Sequence, residues 1–207
     1  ETLIARCGAD VVQMGQAVTG WDKTADGVSV RLEDRKSGDA LGAVEGDLLV
    51  AADGINSTLR AGLYPDEGPA HWGGTMMWRG VTRGPKFLTG RSMAMAGVKN
   101  CKFVIYPIGD TEDGGSLLNW IADLTMPEDY QWRQQDWNRP GRLEDFLPEF
   151  ADWQFDWLDV PQIIRDAEAI YEFPMVDRNP LPQWSFGPMT LLGDAAHAMY
   201  PIGSNGA

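Results

Sequence analysis

The chain has 207 residues and a formal net charge of −13, from 17 Lys and Arg against 30 Asp and Glu. That balance excludes a nucleic-acid binder, which needs a basic stripe to displace phosphate counterions, and it opposes docking on an anionic membrane surface. A hydrophobic share of 43% with 10% aromatic is that of a folded soluble chain, long enough to bury a sizeable core without a covalent staple.

In chain order, the partly alternating stretches 11–19 and 27–33 flank a turn-rich 22–27, a hairpin signal with Val28, Val30 and Leu32 on one face. Residues 35–46 are polar and glycine-bearing and read as a turn. Residues 48–52 form a short continuous apolar run, the pattern of a strand buried on both faces. It ends at Asp53-Gly54, after which Asn56-Ser57-Thr58 offers N-cap chemistry for a short helix to about Leu63. Four strand candidates follow, 75–82, 92–96, 102–106 and 116–122, with turn residues between them, and suggest an antiparallel sheet. Residues 127–166 are acidic and tryptophan-rich. Leu143, Phe146, Leu147 and Phe150 fall at helical spacing, and Leu158, Ile163 and Ile164 give a weaker hint. The acidic, Trp-bearing stretch with Trp132, Trp137, Trp153 and Trp157 reads as a helical layer on the sheet. Residues 169–173 return to strand, and 189–192 form another buried strand leading into Gly193-Asp194-Ala195-Ala196-His197.

Cys7 and Cys101 are far apart, and His71 and His197 are scattered, so neither a disulfide framework nor a metal cluster is expected. Reduced thiols, no apolar run of about 18 residues and no signal peptide together suggest a cytoplasmic setting. The chain starts at Glu1 and stops in the turn Ser204-Asn205-Gly206-Ala207, so a piece of a longer protein is expected.

Two motifs carry chemistry. In the first, 52–60, a buried strand delivers Asp53 and Gly54 into a turn before a helix start and Arg60. Gly54 lets backbone approach a ligand, a helix start offers free N–H groups to a pyrophosphate, and Arg60 can pair with Asp53 or with phosphate. An ordinary left-handed turn fits that stretch as well. In the second, 193–206, a strand again ends at a carboxylate, Asp194, able to accept hydrogen bonds from vicinal hydroxyls. Pro201, Gly203 and Gly206 then make a loop with exposed backbone amides that suits the anionic edge of a planar ring.

Asp53-Gly54-x-x-Ser57-x-x-Arg60, followed more than a hundred residues later by Gly193-Asp194-Ala195-Ala196-His197 with Pro201 and Gly206, resembles the FAD-dependent aromatic hydroxylases. These are single-component flavoprotein monooxygenases of the p-hydroxybenzoate hydroxylase type. Met77-Trp78-Arg79-Gly80, Asp136-Trp137-Asn138-Arg139, Gly141-Arg142-Leu143-Glu144-Asp145, Pro174-Met175-Val176-Asp177-Arg178 and Met199-Tyr200-Pro201 are similar to the branch that contains phenazine monooxygenases. The resemblance covers nearly the whole chain.

It implies an α/β (α+β) fold, part of a Rossmann-like FAD-binding domain of the GR2 type with an inserted, mostly antiparallel substrate domain. FAD-binding segments would be 1–72 and 179–207, and the substrate domain with its helical layer 73–178. The family's opening Gly-x-Gly-x-x-Gly is absent here and is expected upstream. By the same resemblance Asp53, Gly54 and Arg60 belong near the FAD pyrophosphate and NAD(P)H. Gly193 and Asp194 belong at the ribitol, Gly203, Ser204, Asn205 and Gly206 at the pyrimidine end of the flavin, and Pro201 beside the ring in the catalytic cavity. Trp78, Tyr106 and Trp120, with Met95, are candidates for the cavity wall, although core packing accounts for each alone. Arg79 could pair with a substrate carboxylate, and Arg178 carries the same reading, but a surface or structural ion pair is the plainer one for both. His197 is read as structural. The implied chemistry is hydroxylation of a small aromatic molecule, phenazine- or salicylate-like, through a flavin C4a-hydroperoxide. It uses FAD, NADPH or NADH, and dioxygen, with no metal and no acid or base assigned. The rival expectation is a truncated, catalytically inert relative that cannot hold FAD as this chain alone.

Overall fold

The computed structural model describes residues 2–132 and 139–200. Pro201, Gly203, Ser204, Asn205, Gly206 and Trp137 lie outside them. In chain order the elements are α1 (Thr2–Cys7), β1 (Gln16–Lys23), β2 (Val28–Asp34), β3 (Ala40–Gly46), β4 (Leu49–Ala51), α2 (Thr58–Leu63), β5 (His71–Gly84), β6 (Ala94–Val98), β7 (Cys101–Asp110), β8 (Ser116–Thr125), β9 (Gln154–Phe155), β10 (Leu158–Asp159), α3 (Val160–Arg165), β11 (Ile170–Asp177), β12 (Ser185–Phe186), β13 (Met189–Leu191) and α4 (Asp194–His197). Short 3-10 turns occupy Ala9–Val11, Leu143–Asp145 and Leu147–Phe150. Contacts divide the chain into two units, Glu1–His71 with Asp177–Ala207, and Trp72–Val176.

In the first unit the sequence-predicted hairpin forms between β1 and β2, closed where the Thr24 N–H donates to the Gly27 carbonyl at 2.9 Å. The turn expected over 35–46 is corrected: only its first part turns, and Ala40–Gly46 is β3, paired antiparallel to β2. Every residue of β3 is exposed, so no apolar alternation could announce it. Backbone pairing alone makes it a strand. A second sheet has the order β12-β13-β4, and its β13–β4 pair is parallel, with Met189 opposite Leu49 and Leu191 opposite Ala51. Ala51, Leu59, Met189, Leu191, Ala195 and Ala196 form the unit's buried cluster, joined by Val18, Trp21 and Phe186. The cluster thus takes the apolar ends of β4 and β13 and the helices that follow each strand.

In the second unit the four sequence-predicted strands form an antiparallel sheet, extended at one edge to the order β11-β5-β8-β7-β6. The two-residue period of a strand sorts side chains by face. One face carries Met76, Trp78, Leu118, Trp120, Ala122, Leu124, Phe103 and Ile105, packed with Phe146, Phe150, Val160, Ile163 and Ile164. Trp78 stacks on Phe146 with ring centroids 4.8 Å apart. The Trp120 indole N–H donates to the Thr82 hydroxyl at 3.0 Å, which donates in turn to the Ile163 carbonyl at 2.7 Å and ties the sheet to α3. Each such buried large side chain contributes about 2–3 kcal/mol through burial. The helical layer expected over 143–150 is two 3-10 turns, the second opening with Pro148 at a first-turn position.

Candidate functional site

Parallel pairing sends β4 and β13 in the same direction, so their C-terminal ends lie side by side. The Leu192 N–H donates to the Ala51 carbonyl at 2.9 Å and carries the pairing one residue further. Asp53 follows β4 and Asp194 follows β13, which places both motif aspartates at the same end of one sheet. Ligands of open parallel sheets bind beyond the carboxyl ends of the strands.

Asp53 is exposed, and its carboxylate accepts the Thr58 N–H at 2.9 Å. The Ser57 hydroxyl caps α2 by accepting the Arg60 N–H at 3.0 Å. Gly54 has φ +79° and Gly193 φ +61°, a region that a side chain makes costly. A Cβ at either would find no heavy atom within 4 Å, so space is open beside both turns. Asp194 is exposed, and among the described residues no hydrogen bond reaches its carboxylate. These features fit FAD: a free carboxylate for ribitol hydroxyls and two open glycine turns for a pyrophosphate.

Arg60 is corrected. It is only 1% exposed, and all five of its N–H donors are spent on the protein. Nε and one terminal nitrogen hold Glu67, that nitrogen also meets the Asn179 carbonyl at 3.0 Å, and the other terminal nitrogen meets the carbonyls of Ala195 and Ala196 at 3.0 and 3.1 Å. No donor is left for a phosphate or for Asp53. Instead Arg60 fastens α2 to the helix that begins at Asp194. Arg178 joins the same arrangement through the Ile55 carbonyl at 2.7 Å, the Gly68 carbonyl at 3.1 Å and Glu67 at 3.3 Å. The hydrogen bonds and charge of Arg60, with the charge of Arg178, hold the Glu67 carboxyl below its ordinary value of 4.5. Sequence reasoning missed Glu67 altogether; no local pattern marks it, since its partners lie seven and more than a hundred residues away. The His197 ring lies 5.1 Å from that of Trp184, and its backbone N–H donates to the Gly193 carbonyl at 3.0 Å.

The expected cavity wall divides by strand alternation. Trp78 and Trp120 are corrected: both are 0% exposed within the core of the second unit, and a cavity cannot be lined by rings already enclosed. Tyr106, Met95 and Arg79 stand on the sheet's opposite face with Met77, Val81, Val104, Ile121 and Asn119. On that face the Arg79 Nε–H donates to the Asn119 Oδ1 at 2.9 Å, and Lys102 pairs with Asp123 at 2.7 Å. Asn119 was not expected as a site residue; its one signal is a polar amide inside the otherwise apolar run Leu117-Leu118-Asn119-Trp120-Ile121. Among the described residues no group of His, Cys, Asp and Glu could hold a metal ion.

The chain is 42% identical over 205 residues to the phenazine 1,6-dicarboxylic acid hydroxylase PhzS of Lysobacter antibioticus, covering 98% of this chain and 50% of that protein. It is 33% identical to the 3-amino-4-hydroxybenzoate 2-monooxygenase PtnB3 of Streptomyces platensis, covering 95% of this chain and 46% of that one. The chain therefore spans about half the length of the curated relatives it matches. Its fold is that of Klebsiella pneumoniae HpxO, solved with FAD and uric acid, at a TM-score of 0.73 and 22% identity over 99% of this chain and 49% of that one. A salicylate hydroxylase substrate complex gives a TM-score of 0.70 at 23% identity over 99% and 51%. The FAD binding domain family matches residues 3–207, almost end to end, and this chain belongs to it.

Proposed function

We propose that the chain supplies part of the FAD site and the substrate-facing sheet of an FAD- and NAD(P)H-dependent monooxygenase that hydroxylates a small aromatic molecule. The observation that carries this reading is the parallel register of β4 and β13, which brings Asp53 and Asp194 to one end of one sheet. The relatives' names, a phenazine dicarboxylic acid hydroxylase and an aminohydroxybenzoate monooxygenase, support an aromatic substrate.

FAD, when bound, takes electrons from a nicotinamide and activates dioxygen; the protein's share is binding, orientation and exclusion of water. Asp194 would accept hydrogen bonds from ribitol hydroxyls, with Gly193 giving its loop the required turn. Asp53 fixes the start of α2 through the Thr58 N–H, and Gly54 opens the turn beside it. Pro201 and the backbone of Gly203, Ser204, Asn205 and Gly206 would follow the flavin ring. Arg60, in place of a cofactor contact, holds the Asp194 helix in position. Tyr106 and its neighbours on the face opposite Trp78 would form the substrate wall.

The test is to purify the protein from its complete coding sequence and record its visible spectrum and its substrate-dependent oxidation of NADPH and NADH. A bound flavin and oxygen-dependent hydroxylation of an aromatic substrate are expected. Asp194→Ala should weaken FAD binding about tenfold, equivalent to about 1.4 kcal/mol. A colourless protein that FAD cannot reconstitute overturns the reading. The absence of Gly-x-Gly-x-x-Gly from these 207 residues favours the second reading, that this stretch alone does not hold FAD. Mixing it with FAD and looking for a co-eluting, shifted flavin spectrum decides that separately.

A further inference from the structure

Glu67 lies in the loop after α2, and its carboxylate is where two arginines meet. Arg60 grips it through Nε at 2.8 Å and through one terminal nitrogen, and Arg178 reaches the same Oε2 through a terminal nitrogen at 3.3 Å. The side chains of Glu67, Arg60 and Arg178 are 12%, 1% and 14% exposed, so salt and water screen them little.

Each arginine spends its other donors on a different motif. Arg60 meets the carbonyls of Ala195 and Ala196 in α4 at 3.0 and 3.1 Å. α4 is a single turn, too short to supply donors for those carbonyls itself, and both residues are buried. The Arg178 Nε–H donates to the Ile55 carbonyl at 2.7 Å, within the turn that carries Asp53 and Gly54. Two further bonds close a ring: the Arg178 backbone N–H meets the Ala198 carbonyl at 3.2 Å, just past α4, and Arg60 meets the carbonyl of neighbouring Asn179 at 3.0 Å. Two like charges thus share one counter-charge. Neutralising Glu67 would set the guanidiniums against each other in a poorly screened space, and whichever withdraws takes a backbone contact of one motif with it.

We infer that Glu67 is a positioning residue of the cofactor site: its charge couples the Asp53 turn to the Asp194 helix, so that the two motifs keep one geometry toward FAD. Glu67 itself touches no ligand; it acts through Arg60 on one motif and through Arg178 on the other. This rests on the proposed function for the identity of the ligand, while the coupling of the two turns belongs to the protein alone.

The test uses the protein from its complete coding sequence, stripped of flavin and titrated with FAD by fluorescence, with backbone hydrogen exchange followed in the same samples. Glu67→Gln, which keeps the shape and removes the charge, should weaken FAD about tenfold and speed exchange in both 54–60 and 193–197. Glu67→Asp, which keeps the charge, should recover part of the affinity. Gly80→Ala, in the core of the other unit, serves as a control for lost stability: its FAD affinity should stay within about twofold of the parent and both turns should exchange as before. Should Glu67→Gln not fold, Arg178→Met carries the test, since it should loosen 193–197 although its side chain bonds only Ile55, Gly68 and Glu67. If only one turn loosens, or if Glu67→Gln and Glu67→Asp lose FAD alike, the coupling is refuted. A parent that binds FAD and a Glu67→Gln protein that binds it equally well would sink this inference and leave the monooxygenase reading intact. A parent that takes up no FAD would do the reverse if both turns still loosen together.

Discussion

Arg60 shows how much a single side chain can decide. A sequence motif that ends in arginine near a phosphate-binding turn invites a phosphate contact, yet burial to 1% and five filled donors give this one to the protein. Its charge is balanced by Glu67, whose side chain is 12% exposed. Because the folded state holds the Glu67 carboxyl below 4.5, the pair's contribution is full above that pH. It is lost as pH falls through the lower folded value, since the unfolded chain takes up the proton first. Glu67→Gln should cost about 1–3 kcal/mol at neutral pH. Its denaturant midpoint should also depend less on pH than that of the parent as acidity increases. Urea titrations from neutral pH to about 3 compare the two slopes. Parallel slopes would show that Glu67 is not the titrating group.

At the scale of elements, legibility followed the amount of apolar surface each one buries. The strand near 48–52 and the helix to Leu63 were readable because an apolar run and Ser57 mark them locally, and both are present as β4 and α2, but the expected burial of the strand on both faces is corrected: only Ala51 is buried, while Val50 is exposed. The sheet strands were readable as apolar-rich segments set apart by turn residues, and Leu118, Trp120, Ala122 and Leu124 share one face of β8. Exposed β3 buries nothing and left no trace. β1 was placed too early, since Val11 closes a 3-10 turn and the strand begins at Gln16. The adjacency of the two motifs was legible only through the family resemblance; nothing local in 52–60 or 193–197 announces a parallel pairing more than 130 residues apart. Which face of the sheet a tryptophan takes was equally hidden, because β5 and β8 carry large side chains on both faces. Gly80 was quoted only within a family motif, with no role assigned. A Cβ there would stand 2.4 Å from the Trp120 ring, so the indole occupies the space that glycine leaves. Gly80→Ala should destabilise by about 1–3 kcal/mol through overpacking. Thermal unfolding followed by tryptophan fluorescence reads it, and an unchanged midpoint would mean that the ring moves freely aside.

For the molecule as a whole, each of the two units has its own core: one holds Asp53, Asp194 and the ion pairs of Glu67 with Arg60 and Arg178, the other a five-stranded sheet with one face in the core cluster. Among the described residues of the first unit β4 has a sheet neighbour on one side only, β13. Val50 on β4 is 45% exposed, and flanking Leu48 and Leu192 are 61% and 57% exposed. A bare strand margin with apolar side chains is a template for another backbone. Produced by itself, the 207-residue stretch should self-associate with rising concentration, and Val50→Lys should reduce that tendency in sedimentation velocity. Concentration-independent monomers would contradict this. Any strand that paired along this margin would cover those side chains, so solubility itself becomes a readout of whether the edge is occupied.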